Sequence, residues 1–267
     1  MATFTMKFFM PLASLLAVMT PTLSRVIIGG HESTPNSRPY QVALYGSRSA
    51  SWQFCGGTLV HKRWVVSAGH CKSGRYVFVG LGLHDKYNHS AAGQQIIKGK
   101  WHRHRGYSGG TLDNDISLIE LSKDADIGNG KIEAIDITNK RPAKGTNLLV
   151  SGWGTTSSGG SSSRVLMEVM VNATSMLACR KAYGSPSITD NMFCAAASGK
   201  DFCQGDEGGP IVSGYGDGTH DPGTTLEGIV SWGYGCAHAK YPGVFTTVGN
   251  YCDWIAETSG DAVKCSS

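Results

Sequence analysis

Three short segments carry side chains whose types can do chemistry together. "WVVSAGHC" ends an apolar run on His70 and Cys71, "TLDNDISLIEL" sets Asp115 at the head of another apolar run, and "KDFCQGDEGGP" holds Glu207 in a glycine-rich turn. An imidazole exchanges a proton near neutral pH. A carboxylate drawn inward can fix which ring nitrogen carries that proton, and the backbone N–H groups of a glycine-rich turn can stabilise an oxyanion. Such a set suits acyl transfer, except that the third position offers a carboxylate where a hydroxyl would be needed. Taken singly, each has a plain structural use: a packed histidine, an aspartate at a strand start, a Gly/Asp surface turn.

The segments around these residues read as strands. Short alternating or apolar runs cover Gln41–Tyr45, Thr58–Val60, Trp64–Ser67, Tyr76–Leu81, Ile116–Leu121, Leu148–Ser151, Val165–Val171 and Leu226–Ser231, separated by Gly, Ser, Asn and Pro clusters. That spacing predicts antiparallel sheet. The 36 glycines suit tight turns rather than helices, and only the tail from Tyr251 to Glu257 has helix composition. The linker "GTTSSGGSSSR", Gly154 to Arg164, is rich enough in Gly and Ser to predict a mobile loop. At 267 residues, with 40% hydrophobic and 16% charged, the chain can bury a large core within one globular domain.

The N-terminus has the form of an export signal: Lys7, then an apolar stretch from Phe8 to Met19, then small residues at Thr22 and Ser24. Residues 1–24 are therefore expected to be a signal peptide and the protein to be secreted into the extracellular space. Loss of Lys7 and Arg25 lowers the formal charge from +4 to +2, too mild a balance for a nucleic-acid surface, and no later segment is apolar enough to span a membrane. The eight cysteines, at 55, 71, 179, 194, 203, 236, 252 and 265, favour disulfides in an exported chain. Composition leaves their pairing open. With no C-x-x-C pair and no Cys/His zinc spacing, neither a metal site nor a cofactor is expected. Asn88-His89-Ser90 and Asn172-Ala173-Thr174 are glycosylation sequons, which would make the chain a glycoprotein if used.

The chain order histidine, aspartate, glycine-rich turn, with Gly205 two residues before position 207, is that of the chymotrypsin-type triad. Together with "IIGG" (27–30), "FCGGTLV" (54–60), "SGWG" (151–154) and "GIVSWGYGCAHAKYPGVFT" (228–246), it is similar to the trypsin/chymotrypsin family of serine proteases from Ile27 to about Glu257. The resemblance implies an all-β fold of two antiparallel six-stranded β-barrels with a short C-terminal helix and a cleft between the barrels. It divides the chain into a residual pro-segment at 25–26, a protease domain at 27–258 and a tail at 259–267. It gives His70 the role of general base, Asp115 that of its orienting acid, and Gly205 that of oxyanion donor. Ile27 would be the freed terminus of a cleaved zymogen, paired with Asp206. In the substrate pocket Asp201 would be the floor that selects Arg or Lys, with Phe202 beside it, Ser231 and Trp232 at the entrance, and Gly233 and Gly243 as open walls. It also pairs Cys55 with Cys71, Cys179 with Cys194 and Cys203 with Cys236, leaving Cys252 and Cys265 to staple the tail.

Departures from that pattern alter the expected function. Glu207 stands where the family has its nucleophilic serine, Phe202 is large for a pocket floor, and Val26 lies as an extra residue between Arg25 and Ile27. Leu83 replaces a calcium-binding glutamate, and Leu148 and Ser213 stand where many trypsins have a further disulfide. A carboxylate, with a reference pKa near ~4.3, leaves a tetrahedral adduct far more readily than an amine, so attack by Glu207 would reverse. Its charge would also hold His70 protonated, and its oxygens can occupy the oxyanion site. The sequence thus points to a pseudoprotease, a monomer that binds a protein or peptide ligand in its cleft as a decoy or inhibitor. A protease inhibitor or another enzyme would be its partner. The alternative is an active serine-type endopeptidase cleaving after Arg or Lys whose serine has been altered.

Overall fold

A computed structural model describes residues 1, 30–49, 52–89, 92–155, 160–198, 204–216, 223–235, 238 and 240–266. The signal segment, Arg25, Val26, Ile27, Asp201, Phe202, Cys203 and Cys236 lie outside these residues, as do the sequence expectations that rest on them.

The first half of the chain supplies β1 (His31–Glu32), β2 (Gln41–Tyr45), β3 (Gln53–His61), β4 (Trp64–Ser67), β5 (Tyr76–Leu81), β6 (Gln95–Arg103), β7 (Ser117–Leu121) and β8 (Asp136–Thr138). The second supplies β9 (Asn147–Gly152), β10 (Met167–Ala173), α1 (Met176–Tyr183), β11 (Met192–Ala196), β12 (Pro210–Ser213), β13 (Thr225–Trp232), β14 (Gly243–Thr247), α2 (Cys252–Ser259) and β15 (Cys265–Ser266). Period-two burial is plain in β6, where Ile97, Gly99 and Trp101 turn inward and Lys98 and Lys100 turn outward.

Two closed antiparallel barrels result. In the first, the strand order is β2-β3-β4-β7-β6-β5, closed by pairing of β5 with β2. In the second it is β12-β9-β10-β11-β14-β13, closed by pairing of β13 with β12. Each ring has six strands, and closure removes the open edges that a sheet of this composition would otherwise expose. β1 adds to β10, while β8 and β15 extend the second sheet in parallel beyond β13. Val42, Leu44, Val65 and Ile119 belong to the first core; Val150, Val169, Phe193 and Phe245 fill the second. Tyr45 from β2 packs with Trp153 and Leu166, so the two barrels share an apolar seam.

The disulfides Cys55–Cys71, Cys179–Cys194 and Cys252–Cys265 are formed, and the last ties α2 to the strand at the tail. Helix α2 overlaps the expected segment and runs on to Ser259, where Gly260 in the left-handed region ends it. Helix α1 was not expected from the sequence. At eight residues it is too short to show a period, and its signals are local: Ser175 Oγ accepts from the Ala178 N–H at its start, and Gly184 follows its end. Residues 156–159, the centre of the Gly/Ser linker expected to be a mobile loop, lie outside the described residues of that linker. Its described residues are pinned, with the Thr155 N–H donating to Gln204 O at 2.7 Å, Ser163 N–H to Gly154 O at 3.0 Å, and a bridge between Thr155 and Ser162. No helix among the described residues is long and apolar enough to cross a membrane.

Candidate active site

His70 follows β4 and is held beside that strand's neighbour β3 by the Cys55–Cys71 disulfide. Asp115 precedes β7, which pairs with β4, so the ladder that joins these strands brings the two side chains together. His70 Nδ1 lies 2.8 Å from Asp115 Oδ2, and the His70 backbone N–H donates to Asp115 Oδ1 at 2.7 Å. Ser231 Oγ, at the end of β13, donates to Asp115 Oδ2 at 2.6 Å. Thr246 Oγ1 on β14 donates to the Asp115 carbonyl at 3.0 Å, so residues of the second barrel lock a carboxylate carried by the first.

Asp115 is fully buried. A buried carboxylate is tolerated only when its oxygens are satisfied, and the imidazole, the amide and the serine hydroxyl do this. The consequence for His70 is a fixed ring with its proton on Nδ1 and with Nε2 3.7 Å from Cys71 Sγ. Burial opposes charge on that ring, but the hydrogen bond and charge of Asp115 and the Glu207 carboxylate outweigh it and raise the His70 pKa above its ordinary value. The Ser231 hydroxyl, a contact that sequence reading did not anticipate, completes the shell around Asp115.

Glu207 sits in the turn before β12. Its Oε2 accepts the Gly205 N–H at 2.6 Å, a charge-assisted bond to the donor that the resemblance expects at an oxyanion. The turn itself is held by backbone bonds to both barrels: Gly56 N–H donates to Glu207 O at 2.7 Å, and Gly208 N–H to Val230 O at 2.9 Å. Gly208 has φ +80°, and a Cβ there would lie 2.4 Å from Ser67 Oγ and 2.6 Å from Gly56 O. Only glycine fits that crossing. Asp206 is 1% exposed, and its Oδ1 accepts the Gly154 N–H at 2.7 Å. The approach is so close that a Cβ on Gly154 would stand 2.5 Å from Asp206 Oδ2.

Trp232 and Gly233 are half-buried at the end of β13, and Gly243 is buried at the start of β14. Tyr183 of α1 meets Trp232 edge-on at 4.8 Å between ring centroids. On the other side of the turn a cavity of about 460 Å³ opens between the barrels, walled by Trp52, Phe54, Ser162 and Gln204, with Lys86 and Gly205 also lining it. Leu83, in place of a calcium ligand, is buried with Tyr45 and Trp153 in the seam. The structure thus brings His70, Asp115, Ser231, Gly205, Asp206 and Glu207 to one face of the interface between the barrels.

The sequence model of the trypsin family matches residues 27–255. A trypsin from Xenopus laevis is 40% identical over 257 residues, covering 95% of this chain and 98% of its own length. A trypsin from Sus scrofa is 42% identical over 235 residues, covering 87% of this chain and 95% of its own length. The cationic trypsin-3 of Rattus norvegicus is 41% identical over 235 residues, covering 87% and 89% respectively.

Proposed function

The chain belongs to the trypsin family of serine proteases, and from that premise we propose that it is a secreted pseudoprotease, a protein that keeps the family's cleft for binding and has given up hydrolysis. One observation carries the proposal: the Glu207 carboxylate, at the nucleophile position, takes the Gly205 N–H that an acyl-transfer intermediate requires. Three consequences follow. No hydroxyl stands at position 207 to attack a carbonyl; the donor that would stabilise the tetrahedral oxygen is already bonded; and the charge of Glu207 favours the imidazolium form of His70, which cannot accept a proton.

In this reading His70 and Asp115 remain as a structural pair across the barrel interface, and the cleft receives a protein or peptide whose basic residue is drawn by Asp201. The export signal and the paired cysteines support an extracellular setting. The test is direct: the purified, disulfide-intact chain should not hydrolyse Arg or Lys peptide amides and should stay unlabelled by fluorophosphonates, which need an activated hydroxyl. Stoichiometric labelling or ordinary turnover would overturn the proposal. The intact contact between His70 and Asp115 favours one second reading, an Arg/Lys endopeptidase in which position 207 is natively serine. The codon for residue 207 in the source gene separates the two.

A further inference from the structure

Lys86 lies in the loop after β5, in a stretch, "LHDKYN", that gives no sign of a special role. The structure gives it one. The residue is only 2% exposed, and its ammonium is aimed across the seam between the barrels. Its three donors go to neutral oxygens: Ser162 Oγ at 2.8 Å, Gln53 Oε1 at 3.4 Å and Trp153 O at 3.4 Å. The backbone is anchored so that the side chain must point there, with the Lys86 N–H donating to Arg164 O at 3.0 Å and the Tyr45 hydroxyl donating to Lys86 O at 2.9 Å.

Two of those acceptors are one end of an amide whose other end holds the glycine-rich turn. Gln53 accepts from Lys86 through Oε1 and donates through Nε2 to Gly205 O at 2.9 Å. The peptide between Trp153 and Gly154 accepts from Lys86 through its carbonyl and donates through the Gly154 N–H to Asp206 Oδ1 at 2.7 Å. An ammonium is a donor without acceptor capacity, so it fixes which way round the Gln53 amide must stand. A cation at one end of an amide also polarises it and strengthens the bond its N–H makes at the other. We propose that Lys86 is a positioning residue for the Gly205–Glu207 turn, acting through the Gln53 side chain on one flank and the Trp153–Gly154 peptide on the other. Every bond in this path lies between residues 53 and 206, so the cation that feeds it is carried within the folded barrels.

The same arrangement makes the turn sensitive to base. Burial pushes the Lys86 pKa down from 10.5 to about 8, partly offset by the charge of Asp206. The titratable groups packed around it are Asp206, the Tyr87 ring 5.5 Å from Nζ, and Tyr45 and His89 at its carbonyl. Asp85 and Arg164 form an ion pair beside its backbone, and Glu207 lies beyond Gly205. Burial raises the Tyr45 phenol, so it does not ionise in the same window.

The experiment is an amide nitrogen–proton NMR titration of the full chain from pH 6 to 10, following Gly154 and Gly205, in wild type, Lys86→Met and Lys86→Arg. Wild type is expected to show one inflection near pH 8 at both amides, with the Gly154 proton moving upfield as Lys86 loses its charge. Lys86→Met should start at the alkaline position and show no inflection; Lys86→Arg should keep the acid position throughout. An inflection that persists in Lys86→Met, or its absence from wild type, overturns the proposal. Because the wild-type titration alone can refute it, the test survives a variant that fails to fold. It is read without turnover, so its result is independent of whether hydrolysis occurs.

Discussion

Placing a hydroxyl at position 207 is the sharpest perturbation of this site, and the structure sets its size. Glu207→Ser removes the acceptor that sits 2.6 Å from the Gly205 N–H and places an Oγ on the same backbone, which is held by Gly56 and Val230 whatever the side chain. The imidazole base is already oriented by Asp115 at 2.8 Å and loses a neighbouring charge that favours its protonated form. Deleting a serine nucleophile lowers kcat by about 10⁶ in a protease of another fold, whereas deleting one oxyanion donor costs about 10² to 10³. Glu207→Ala frees only the donor, so its gain over wild type should not exceed about 10³. Glu207→Ser regains donor and nucleophile together and should raise kcat/KM on Arg or Lys peptide amides by about 10⁴ to 10⁶, short of the full value because Phe202 adds bulk beside Asp201. Initial rates with both variants begun at Ile27, paired with fluorophosphonate labelling, give the comparison. A folded Glu207→Ser that is no faster than Glu207→Ala, or stays unlabelled, would falsify the account of what position 207 has removed.

Other expectations follow from single contacts. The folded pKa of His70 is raised, so the stability its charge contributes is fully present below the reference value of 6.5 and is lost as pH rises through the folded value; an imidazole titration by NMR should show Glu207→Gln moving that midpoint down, and an unmoved midpoint would remove Glu207 from the electrostatics. Millimolar calcium should leave the thermal midpoint in place, because Leu83 is buried in the barrel seam where a carboxylate ligand would be required; a rise of several degrees would contradict this. Gly208→Ala should lose about 1–3 kcal/mol from backbone strain alone, and more from the 2.4 Å approach to Ser67 Oγ, seen as a lower denaturant midpoint; an unchanged midpoint would mean that the turn can shift.

What could be read from the sequence was whatever local pattern fixes. Strands such as Gln41–Tyr45, Trp64–Ser67 and Tyr76–Leu81 appear at the expected bounds, since alternation and flanking turns are local signals. His70, Asp115 and Glu207 were visible because their segments carry chemistry in the residue types themselves. Helix α1 escaped because eight residues show no period, and the contacts at the described ends of the Gly/Ser linker escaped because composition reports chain entropy and not the partners that offset it. Lys86 and Gln53 are the strongest case. Their roles arise where a loop of the first barrel crosses to β9's end in the second, and a lysine between Asp85 and Tyr87 reads as an ordinary solvated charge until that crossing is known.

The same crossing helps to hold the glycine-rich turn in a shape that does not depend on the side chain at position 207. The turn that bears position 207 is fixed by its backbone and by one neighbouring side chain: by Gly56 and Val230 on the strands beneath, by Gln53 at Gly205 O, and by Gly154 at the Asp206 carboxylate. None of these bonds involves the side chain of residue 207. A substitution there therefore acts on chemistry first and on folding second, and the glutamate even regains one bond by reaching back to the Gly205 N–H. The separation runs the other way for Asp115, whose carboxylate receives bonds from His70 and Ser231 and whose carbonyl receives one from Thr246. Losing the carboxylate would leave the His70 and Ser231 donors unpaired while the Thr246 bond to the backbone carbonyl stayed, a penalty of about 1–3 kcal/mol for each neutral donor. The side chain at position 207 is therefore the cheaper of the two to replace, and on the proposed reading a cleft kept for binding would retain the pair His70 and Asp115 for structural reasons.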